Sequence, residues 1–234
     1  ANNLAVKIAK TPYVFIVSPD ILFTVNSLKI LYKEFLSFKN AGVAGPSLFD
    51  STNIRRTNSS LSFLKRKIYR TPFQKKIYKK LSQQHAEGNI SCDYIIGCSM
   101  LFEKSFFLKI GGFDTQFFLY YEDNDICDRI RQSNKIVLEI PTSRMVHLQG
   151  KSTKSNFRIN AMLSIVHKIS EYKYLKKNIS MLKLFLIIFI NTLDFFQRIL
   201  INLFCFKFQL FYKNLLRLIS ILLFVTQLYK FIKY

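Results

Sequence analysis

Acidic residues are scarce in this sequence, and cysteine motifs that would indicate disulfide bonds or a bound zinc ion are missing. Only 14 of the 234 residues are Asp or Glu, against 35 Lys and Arg, which gives a formal net charge of +21. The four cysteines form no CxxC pair and have no histidine at metal-ligand spacing, so neither a zinc site nor a disulfide framework is indicated. With no signal peptide in view, we expect free thiols in a reducing cytosol.

Long apolar runs are also missing. Towards the C-terminus, residues 184–193 and 218–229 are uncharged, and both stretches are shorter than the roughly 18–20 residues of a membrane-spanning helix. Hydrophobic residues nevertheless make up 50% of the chain and 24 residues are Phe, which argues against overall disorder. The length allows one sizeable domain, or one domain with an appendage.

The charge is unevenly distributed. Residues 51–90 contain ten basic residues and one acidic residue, and residues 151–234 contain fourteen and two. Residues 91–150 contain six and eight, so the acidic residues collect in the one region that is not basic. A basic chain of this apolarity favours an anionic membrane surface as a partner. We expect no nucleic acid, although charge alone leaves nucleic-acid binding open.

Residues 153–234 are predicted to be a helical, membrane-associated region. Their polar residues repeat at about 100° per residue and leave a wide apolar surface rich in Phe, Leu and Ile. That pattern is typical of a helix lying in the bilayer interface, while a buried or a membrane-spanning helical hairpin remains an alternative. The polar stripe consists of Asn191, Asp194, Arg198, Asn202, Gln209, Lys213, Arg217, Ser220 and Gln227.

Residues 1–152 alternate short strands with helices, which predicts an α/β domain with a mainly parallel sheet. The apolar run Tyr13–Val17 is typical of a strand buried on both faces, and it places Asp20 at the carboxyl end of that strand. Further strands are predicted at 42–46, 94–102, 135–140 and 144–148, and helices at 2–10, 25–39 and 104–110.

Residues 47–91 form a long polar and basic insertion in this pattern. A connection of that length in a compact domain is typical of a mobile functional loop or lid. Its centre alternates basic with aromatic or aliphatic residues, which suits a membrane surface, a diphosphate or RNA; solvated charge is the simpler explanation.

The most unusual stretch runs from Phe117 to Arg131 and reads FFLYYEDNDICDRIR. Four carboxylates within seven residues, flanked by bulky apolar residues, are costly to hold unless they bind a cation or handle protons. They also suit a helix N-terminus, where acids favour the helix dipole and a later Arg balances the charge. The pattern therefore predicts a helix that begins at this cluster.

Asp20, the acidic cluster and His147 are all predicted at element ends that can face the carboxyl edge of the sheet, where ligands bind in open α/β folds. Mg²⁺ or Mn²⁺ takes oxygen ligands, usually one or two carboxylates plus substrate phosphates, so a single Asp can be a sufficient protein ligand. A carboxylate in a partly apolar pocket can be tuned to remove a proton from a hydroxyl. The residues together predict a metal–diphosphate site beside a general base.

Three segments of the chain occur together in a known family. Over residues 1–152 the sequence resembles the inverting family 2 glycosyltransferases of the GT-A fold, and among them the rhamnosyltransferase-like enzymes of bacterial O-antigen and polysaccharide synthesis. The family's first half has no counterpart here, so the resemblance implies a fragment that lacks its first strands and much of the nucleotide pocket, and that can be inactive alone. The segments are ANNLAVKIAKTPYVFIVSPDILF, GCSMLFEKSFFLKIGGFDTQFFLYYEDNDICDRIR and IPTSRMVHLQGKS.

The resemblance implies roles for individual residues. Asp20 would bind the divalent cation, Mg²⁺ or Mn²⁺, on the sugar-nucleotide diphosphate, and His147 would lie near that metal. Asp123 would be the base that deprotonates the acceptor hydroxyl, and Glu122 would orient the acceptor or support the base. The residues implied to contact donor or acceptor are Gly97, Cys98, Ser99, Asp114 and His147.

The other charged residues of the cluster have no catalytic counterpart. Asp125 and Asp128 are interpreted as acids of the first helical turn that face Arg129 and Arg131. Ser18 stands where the family often has Asn, which should matter little because the metal contact belongs to the Asp.

The implied function is transfer of a sugar, L-rhamnose from dTDP-rhamnose, to a lipid-linked saccharide. The enzyme would work at the cytoplasmic face of the bacterial inner membrane, where the C-terminal region would hold it beside its acceptor. A UDP-hexose donor on the same fold remains an alternative. So does a non-enzymatic basic protein that binds membranes or nucleic acid, although it leaves the acidic cluster unexplained.

Overall fold

A computed structural model describes most of the chain and shows two compact units. The predicted boundary between residues 152 and 153 lies in an interval outside the described residues. Most of the predicted insertion at 47–91 lies outside them as well. The described residues are 1–56, 59–60, 90–148 and 156–227.

The first unit comprises Ala1–Asp114 and Glu122–Lys154, and the second comprises Thr115–Tyr121 and Ser155–Tyr234. The first contains both helices and strands, as predicted for residues 1–152, but residues 115–121 of that range group with the second unit. Its elements follow the order α1 (Asn2–Ile8), β1 (Tyr13–Val17), β2 (Ile21–Phe23), α2 (Ser27–Ser37), β3 (Ala41–Phe49), β4 (Arg55–Arg56), β5 (Ser59–Ser60), β6 (Ile90–Cys92), β7 (Tyr94–Ile95), β8 (Ser99–Glu103), α3 (Lys104–Lys109), α4 (Glu122–Gln132) and β9 (Ile136–His147).

The main sheet has the strand order β1-β8-β3-β9-β2, with β4 beside β3 and β6 beside β9. The prediction of a mainly parallel sheet is wrong for the described strands: β3 and β9 run parallel, and the other pairs are antiparallel. A short apolar run fits a buried strand of either direction, because its composition reports burial and not which strand becomes its neighbour.

Three strand predictions also need correction. The strand Tyr13–Val17 is present but only partly buried, because among the described strands it pairs with β8 alone. The strand predicted at 94–102 is interrupted between Ile95 and Ser99, and the turn contains Gly97. The two strands predicted at 135–140 and 144–148 are one strand, β9, whose register against β3 shifts beside Pro46.

Helices cover both faces of the sheet, and strand alternation supplies the two apolar layers. Phe106 of α3 and Ile130 of α4 pack into the layer that contains Met100 and Phe102 of β8. Leu31 and Phe35 of α2 pack into the opposite layer, which contains Leu101 of β8. Because both faces of the sheet are covered, a functional site can form only at the ends of the strands and in the loops that connect them.

The second unit is helical, and it buries some polar side chains together with apolar ones such as Ile169, Leu175 and Leu216. Its helices are α5 (Phe157–Asn178), α6 (Met181–Phe204) and α7 (Phe208–Thr226). Asn202, Asn214 and Ser220 are buried, and the Asn191 side-chain amide donates to the Tyr172 hydroxyl at 3.1 Å. Other large apolar side chains are exposed, among them Phe185, Phe189, Ile190, Leu193, Phe196, Phe204, Phe206, Leu222 and Val225.

The helices of this unit are longer than the uncharged runs predicted. The second and third, α6 and α7, have 24 and 19 residues and are long and apolar enough to cross a membrane by length and composition. The expectation that neither reaches spanning length is corrected, because α6 continues through isolated charged residues such as Lys183 and Asp194. The stripe's Asn202 and Ser220 also lie inside the unit and not on its surface.

Gly42 is a position where the sheet admits no side chain. A Cβ atom there would lie 2.4 Å from Ile130 Cγ2 and 2.9 Å from Phe106 Cε1. We therefore expect Gly42→Ala to lower the free energy of unfolding by about 1–3 kcal/mol through overpacking. Urea unfolding followed by circular dichroism measures it. Gly111→Ala is the control: nothing lies within 4 Å of a Cβ there, so its cost is confined to the left-handed backbone at φ +84°. An equal loss in the two variants would contradict the packing argument.

Candidate functional site

Asp20 and His147 meet where β1 passes into β2. The turn is closed by the Ile21 amide, which donates to the Ser18 carbonyl at 3.1 Å, and the Leu148 amide donates to the Asp20 carbonyl at 3.0 Å. Asp20 is 6% exposed, and its Oδ2 lies 3.4 Å from Nε2 of His147. Two residues separated by 127 positions in the sequence thus form one buried acid–imidazole pair.

Cys98 lies on the other side of the imidazole. Its Sγ is 3.9 Å from Nδ1 of His147 and 3.9 Å from Oγ of Ser99. Burial raises the pKa of the Cys98 thiol to about 11, the Ser99 hydroxyl lowers it, and the charges of Asp20 and Asp123 raise it further. The thiol is therefore protonated at neutral pH and is unsuited to act as a nucleophile. As predicted, all four cysteines are free.

Asp123 is held against the break between β7 and β8. Its Oδ2 accepts a hydrogen bond from the Gly97 amide at 3.0 Å, and its Oδ1 accepts from the backbone and side-chain nitrogens of Asn124 at 2.8 and 2.9 Å. A Cβ atom at Gly97 would lie 3.2 Å from Cβ of Asp123. Glycine at this position lets the backbone donor approach the carboxylate closely.

Glu122, the first residue of α4, has a different environment from its neighbour. Its Oε2 is buried and has no hydrogen-bond partner among the described residues. Burial, and next the charge of Asp123, raise the pKa of Glu122 from 4.5 to about 7. A carboxyl group that titrates near neutral pH can both accept and release a proton.

The structure brings most of the predicted site residues into one neighbourhood. The chain of contacts runs from Asp123 through the Gly97 turn to Cys98, then through His147 to Asp20. Ser99, fully buried, contacts Cys98 from the start of β8. Asp114 is half-buried and is the last residue of the first unit before the chain enters Thr115–Tyr121.

The predicted pairing of the remaining cluster residues is confirmed. Arg129 pairs with Asp125 at 2.8 Å, and Arg131 pairs with Asp128. Asp125 is 2% exposed, so its charge is buried and needs this partner. Sequence reasoning missed two further contributions: the side chain of Asn124 on Asp123, and hydrogen bonds from Arg129 to backbone carbonyls.

The acid–imidazole pair provides one carboxylate and one nitrogen donor for a metal. In the part of the chain that the structure describes, no group of three or more His, Cys, Asp or Glu side chains could hold an ion. Such a pair fits a divalent cation whose remaining ligands are substrate phosphates and water, and it does not fit a closed structural site.

Glu122 predicts a pH dependence of stability with a defined sign. A folded-state pKa near 7, raised from 4.5, makes its contribution full below about pH 4.5 and lost as pH rises through about 7. We expect wild type to lose stability relative to Glu122→Gln over this interval, measured as the difference in unfolding free energy at several pH values. The exposed Glu103, replaced by Gln, is the control; the same pH trend in both variants would contradict the assignment.

Comparison with known proteins finds glycosyltransferases. A family model described as the N-terminal domain of galactosyltransferase matches residues 76–168. The N-acetylglucosaminyl-diphospho-decaprenol L-rhamnosyltransferase of Mycobacterium tuberculosis is 23% identical over 150 residues, which cover 60% of this chain and 48% of that protein. Rhamnosyltransferase WbbL of Escherichia coli K12 is 25% identical over 165 residues, which cover 67% of this chain and 62% of that protein.

A solved structure, GalNAc-T7 with UDP, GalNAc and Mn²⁺, matches with a TM-score of 0.47 and 15% identity, over 72% of this chain and 33% of that one. The chain spans about half the length of the first of the curated relatives it matches. The match to the family model includes Glu122, Asp123 and His147 and does not extend to Asp20. No comparison assigns a role to an individual residue, so the residue roles stay predictions. The predicted resemblance is confirmed: the chain is similar in sequence to rhamnosyltransferases and to a glycosyltransferase family model.

Proposed function

We propose that this chain provides the catalytic side of an inverting glycosyltransferase that moves a sugar from a nucleotide-sugar donor to a hydroxyl of a lipid-linked saccharide. The observation that carries the proposal is the convergence of Asp20, His147, Gly97 and Asp123 at one edge of the sheet. The Asp20–His147 pair can bind a metal ion that stabilises the leaving group, and the Glu122–Asp123 pair can deprotonate the attacking hydroxyl. Metal-dependent inverting transfer uses both functions.

The carboxylate pair supplies the base. Asp123 is our choice for the group that takes the acceptor proton, because its carboxylate is fixed by the Gly97 amide and by Asn124. Glu122, with one buried oxygen lacking a partner among the described residues, would bind or orient an acceptor hydroxyl. A fixed base beside a polar group that still needs a partner is the arrangement that positions a hydroxyl for attack.

Asp20 and His147 would hold a divalent cation, Mg²⁺ or Mn²⁺, together with the donor diphosphate. When bound, that cation would neutralise the negative charge on the departing diphosphate. The chain's own contribution is to keep both donor atoms in place, which the backbone hydrogen bonds of Ile21 and Leu148 achieve. Cys98, protonated and packed on the imidazole, would exclude water from that side.

The donor and acceptor are proposed from the relatives. Both curated relatives are named rhamnosyltransferases, and the mycobacterial one is named for an N-acetylglucosaminyl-diphospho-decaprenol acceptor. We propose dTDP-L-rhamnose as the donor and a polyprenyl-diphosphate saccharide of O-antigen or polysaccharide synthesis as the acceptor. A UDP-hexose donor is the alternative, and screening the full protein against a panel of nucleotide sugars decides between them.

The second unit is proposed to bind a membrane. Besides a core that contains both apolar and polar side chains, it leaves many large Phe, Leu and Ile side chains of α6 and α7 exposed, which is unusual for a water-soluble helical unit. In lipid the same arrangement is favourable, because buried polar side chains such as Asn214 and Ser220 donate to carbonyls of their own helix while the exposed apolar ones face hydrocarbon. Lys and Arg residues in this basic region suit an anionic cytoplasmic leaflet, so we place the protein at the cytoplasmic face of the bacterial inner membrane.

A non-enzymatic role in binding membranes or nucleic acid is the rival. It accounts for the charge of +21 and the apolar helices, yet it gives no reason for Asp20, Glu122 and Asp123 to be held near one buried thiol and imidazole. Filter binding with RNA beside sedimentation with anionic liposomes separates the two versions of this rival. RNA binding without sugar transfer would favour the rival over the proposed enzyme.

Asp123→Asn keeps the size of the side chain and one acceptor oxygen for the Gly97 amide, but it removes the basic carboxylate. We expect the rate constant for transfer to fall by about a thousandfold while the dissociation constant of the nucleotide sugar changes by less than about twofold. Initial rates and equilibrium titration measure the two quantities. The matched variant is Glu122→Gln, for which we expect the smaller loss. Retained turnover in Asp123→Asn would refute the assignment, and a larger loss in Glu122→Gln would move the base to Glu122.

Removing residues 180–234 deletes both long apolar helices. We expect the truncated protein to move from the membrane to the soluble fraction and to lose binding to anionic liposomes, because both described helices that are long and apolar enough to cross a membrane lie in the deleted part. Sedimentation with anionic and neutral liposomes measures this. A full-length variant with Asp194→Asn and Arg198→Gln is the control, since that exposed ion pair lies on α6 without contributing apolar surface. Unchanged membrane binding by the truncated protein would show that the anchor lies elsewhere.

A further inference from the structure

The turn that follows α3 is held by two side chains from distant parts of the chain. At this turn Gly111 and Gly112 adopt φ values of +84° and +64°, a backbone conformation that other residues adopt only with strain. The Gly111 and Gly112 amides close the helix end by donating to the carbonyls of Leu108 and Phe107 at 3.0 and 2.9 Å. Two carbonyls beyond the helix end, at Ile110 and Gly112, are left to accept from elsewhere.

Arg129 donates to both of these carbonyls. Its Nη1 reaches the Ile110 oxygen and its Nη2 the Gly112 oxygen, each at 2.6 Å, while its Nε donates to Asp125 at 2.8 Å. The planar guanidinium therefore joins a buried acid of α4 to the backbone of the turn. A lysine could not reproduce this, because its ammonium is a single point and not a fork.

Asn3 holds the residue after the turn in the manner of a neighbouring strand. Its Oδ1 accepts from the Phe113 amide at 2.9 Å and its Nδ2 donates to the Phe113 carbonyl at 2.7 Å. Gly112 must lack a side chain for this contact, since a Cβ atom would lie 2.7 Å from the Asn3 oxygen. The Phe113 ring is anchored as well, packing edge-on against Phe107 at 5.6 Å.

These contacts link α1, the turn at 110–113 and the helix α4. Beyond the turn lies Asp114, which the family resemblance implies to contact donor or acceptor. Asp114 follows Phe113 directly, and Glu122 and Asp123 begin the helix from which Arg129 projects. Because Arg129 fixes the turn relative to its own helix, the backbone that leads into Asp114 is fixed relative to the first turn of α4. The interaction is stiff, since charged hydrogen bonds to backbone carbonyls are short and strong.

We propose that Arg129 and Asn3 are positioning residues of the transferase site, which set the place of Asp114 relative to the Glu122–Asp123 pair. The inference rests on the proposed function and extends it to two residues that touch neither substrate nor metal. Arg129 acts from the end of α4 opposite the carboxylates, and Asn3 acts from α1. Their removal misaligns the groups that meet the acceptor while leaving the Asp20–His147 pair in place.

Matched substitutions test this in the full protein, with dTDP-L-rhamnose and a polyprenyl-diphosphate N-acetylglucosamine as probes. Arg129→Met and Asn3→Ala are each expected to lower kcat about tenfold while the KM for the donor changes by less than about twofold. Arg131→Met and Asn2→Ala are the controls. Arg131 lies on the same helix and pairs only with acids, Asp93 and Asp128, among its described contacts, and Asn2 is the exposed neighbour of Asn3.

Amide hydrogen exchange gives a readout that does not depend on turnover. The amides of residues 112–114 are expected to exchange faster in Arg129→Met and Asn3→Ala than in wild type and in both controls. Faster exchange with wild-type kcat would overturn the inference and leave the proposed function standing, as would equal losses of kcat in Arg129→Met and Arg131→Met. Absence of transfer by wild type with every donor would overturn the proposed function and this inference with it.

Discussion

Each buried carboxylate of the described residues has a cationic or imidazole partner, and this pairing constrains the rest of the structure. Removing a charged group from water costs several kcal/mol unless a partner and further hydrogen bonds replace the water. Two of the five pairs join residues far apart in the chain, and the other three join residues three or four apart within a single helix. The pairs are Asp20 with His147, Asp125 with Arg129, Asp128 with Arg131, Glu139 with Arg55 and Glu171 with Lys168.

Two of these pairs hold parts of the sheet together. The Glu139–Arg55 pair lies away from the candidate site, and the Asp20–His147 pair belongs to it. Glu139, in the middle of β9, accepts from Arg55 of β4 at 2.8 Å and from the Ser47 hydroxyl of β3 at 2.9 Å. Asp20 pairs with His147, which is the last residue of the same strand β9. Glu122 is half-buried as a residue, but its Oε2 is buried without a hydrogen-bond partner among the described residues, and it lies beside the carboxylate proposed as the base. Among the described residues, Asn124 Oδ1 and Arg131 Nε are also buried without a hydrogen-bond partner, so all three such atoms belong to this one helix. A buried polar group without a partner calls for an explanation, and for Glu122 the proposed function supplies one in an acceptor hydroxyl.

The two units differ in how many large apolar side chains they leave exposed. In the first, Leu31, Met100 and Phe102 are fully buried, as expected of a unit surrounded by water. In the second, Asn214 and Ser220 are buried while Phe185 and Phe204 are exposed, which is the economical arrangement in lipid. The proposed anchoring would keep the site beside a lipid-linked acceptor and raise the acceptor's effective concentration without changing the chemistry.

Local features of the sequence were enough to predict the α/β class, most helices, the strand at Tyr13–Val17 and the helix that begins at the acidic cluster. Periodicity, capping and turn chemistry act over a few residues, so they can be read from neighbours in the chain. The resemblance to glycosyltransferases was equally accessible, because it depends on motifs and their order. The sequence could not predict which members of the polar stripe are buried, because an amphipathic pattern defines a face of a helix but not what covers that face.

Tertiary structure alone decided the direction of the strands, the interruption of the strand at Gly97 and the 3.4 Å approach of Asp20 to His147. It also decided that Arg129, predicted as a partner of acids, in addition holds the turn before Asp114. These outcomes depend on residues far apart in the chain. Their free energies arise from pairing and desolvation, which exist only once the sheet and helices have brought the partners together.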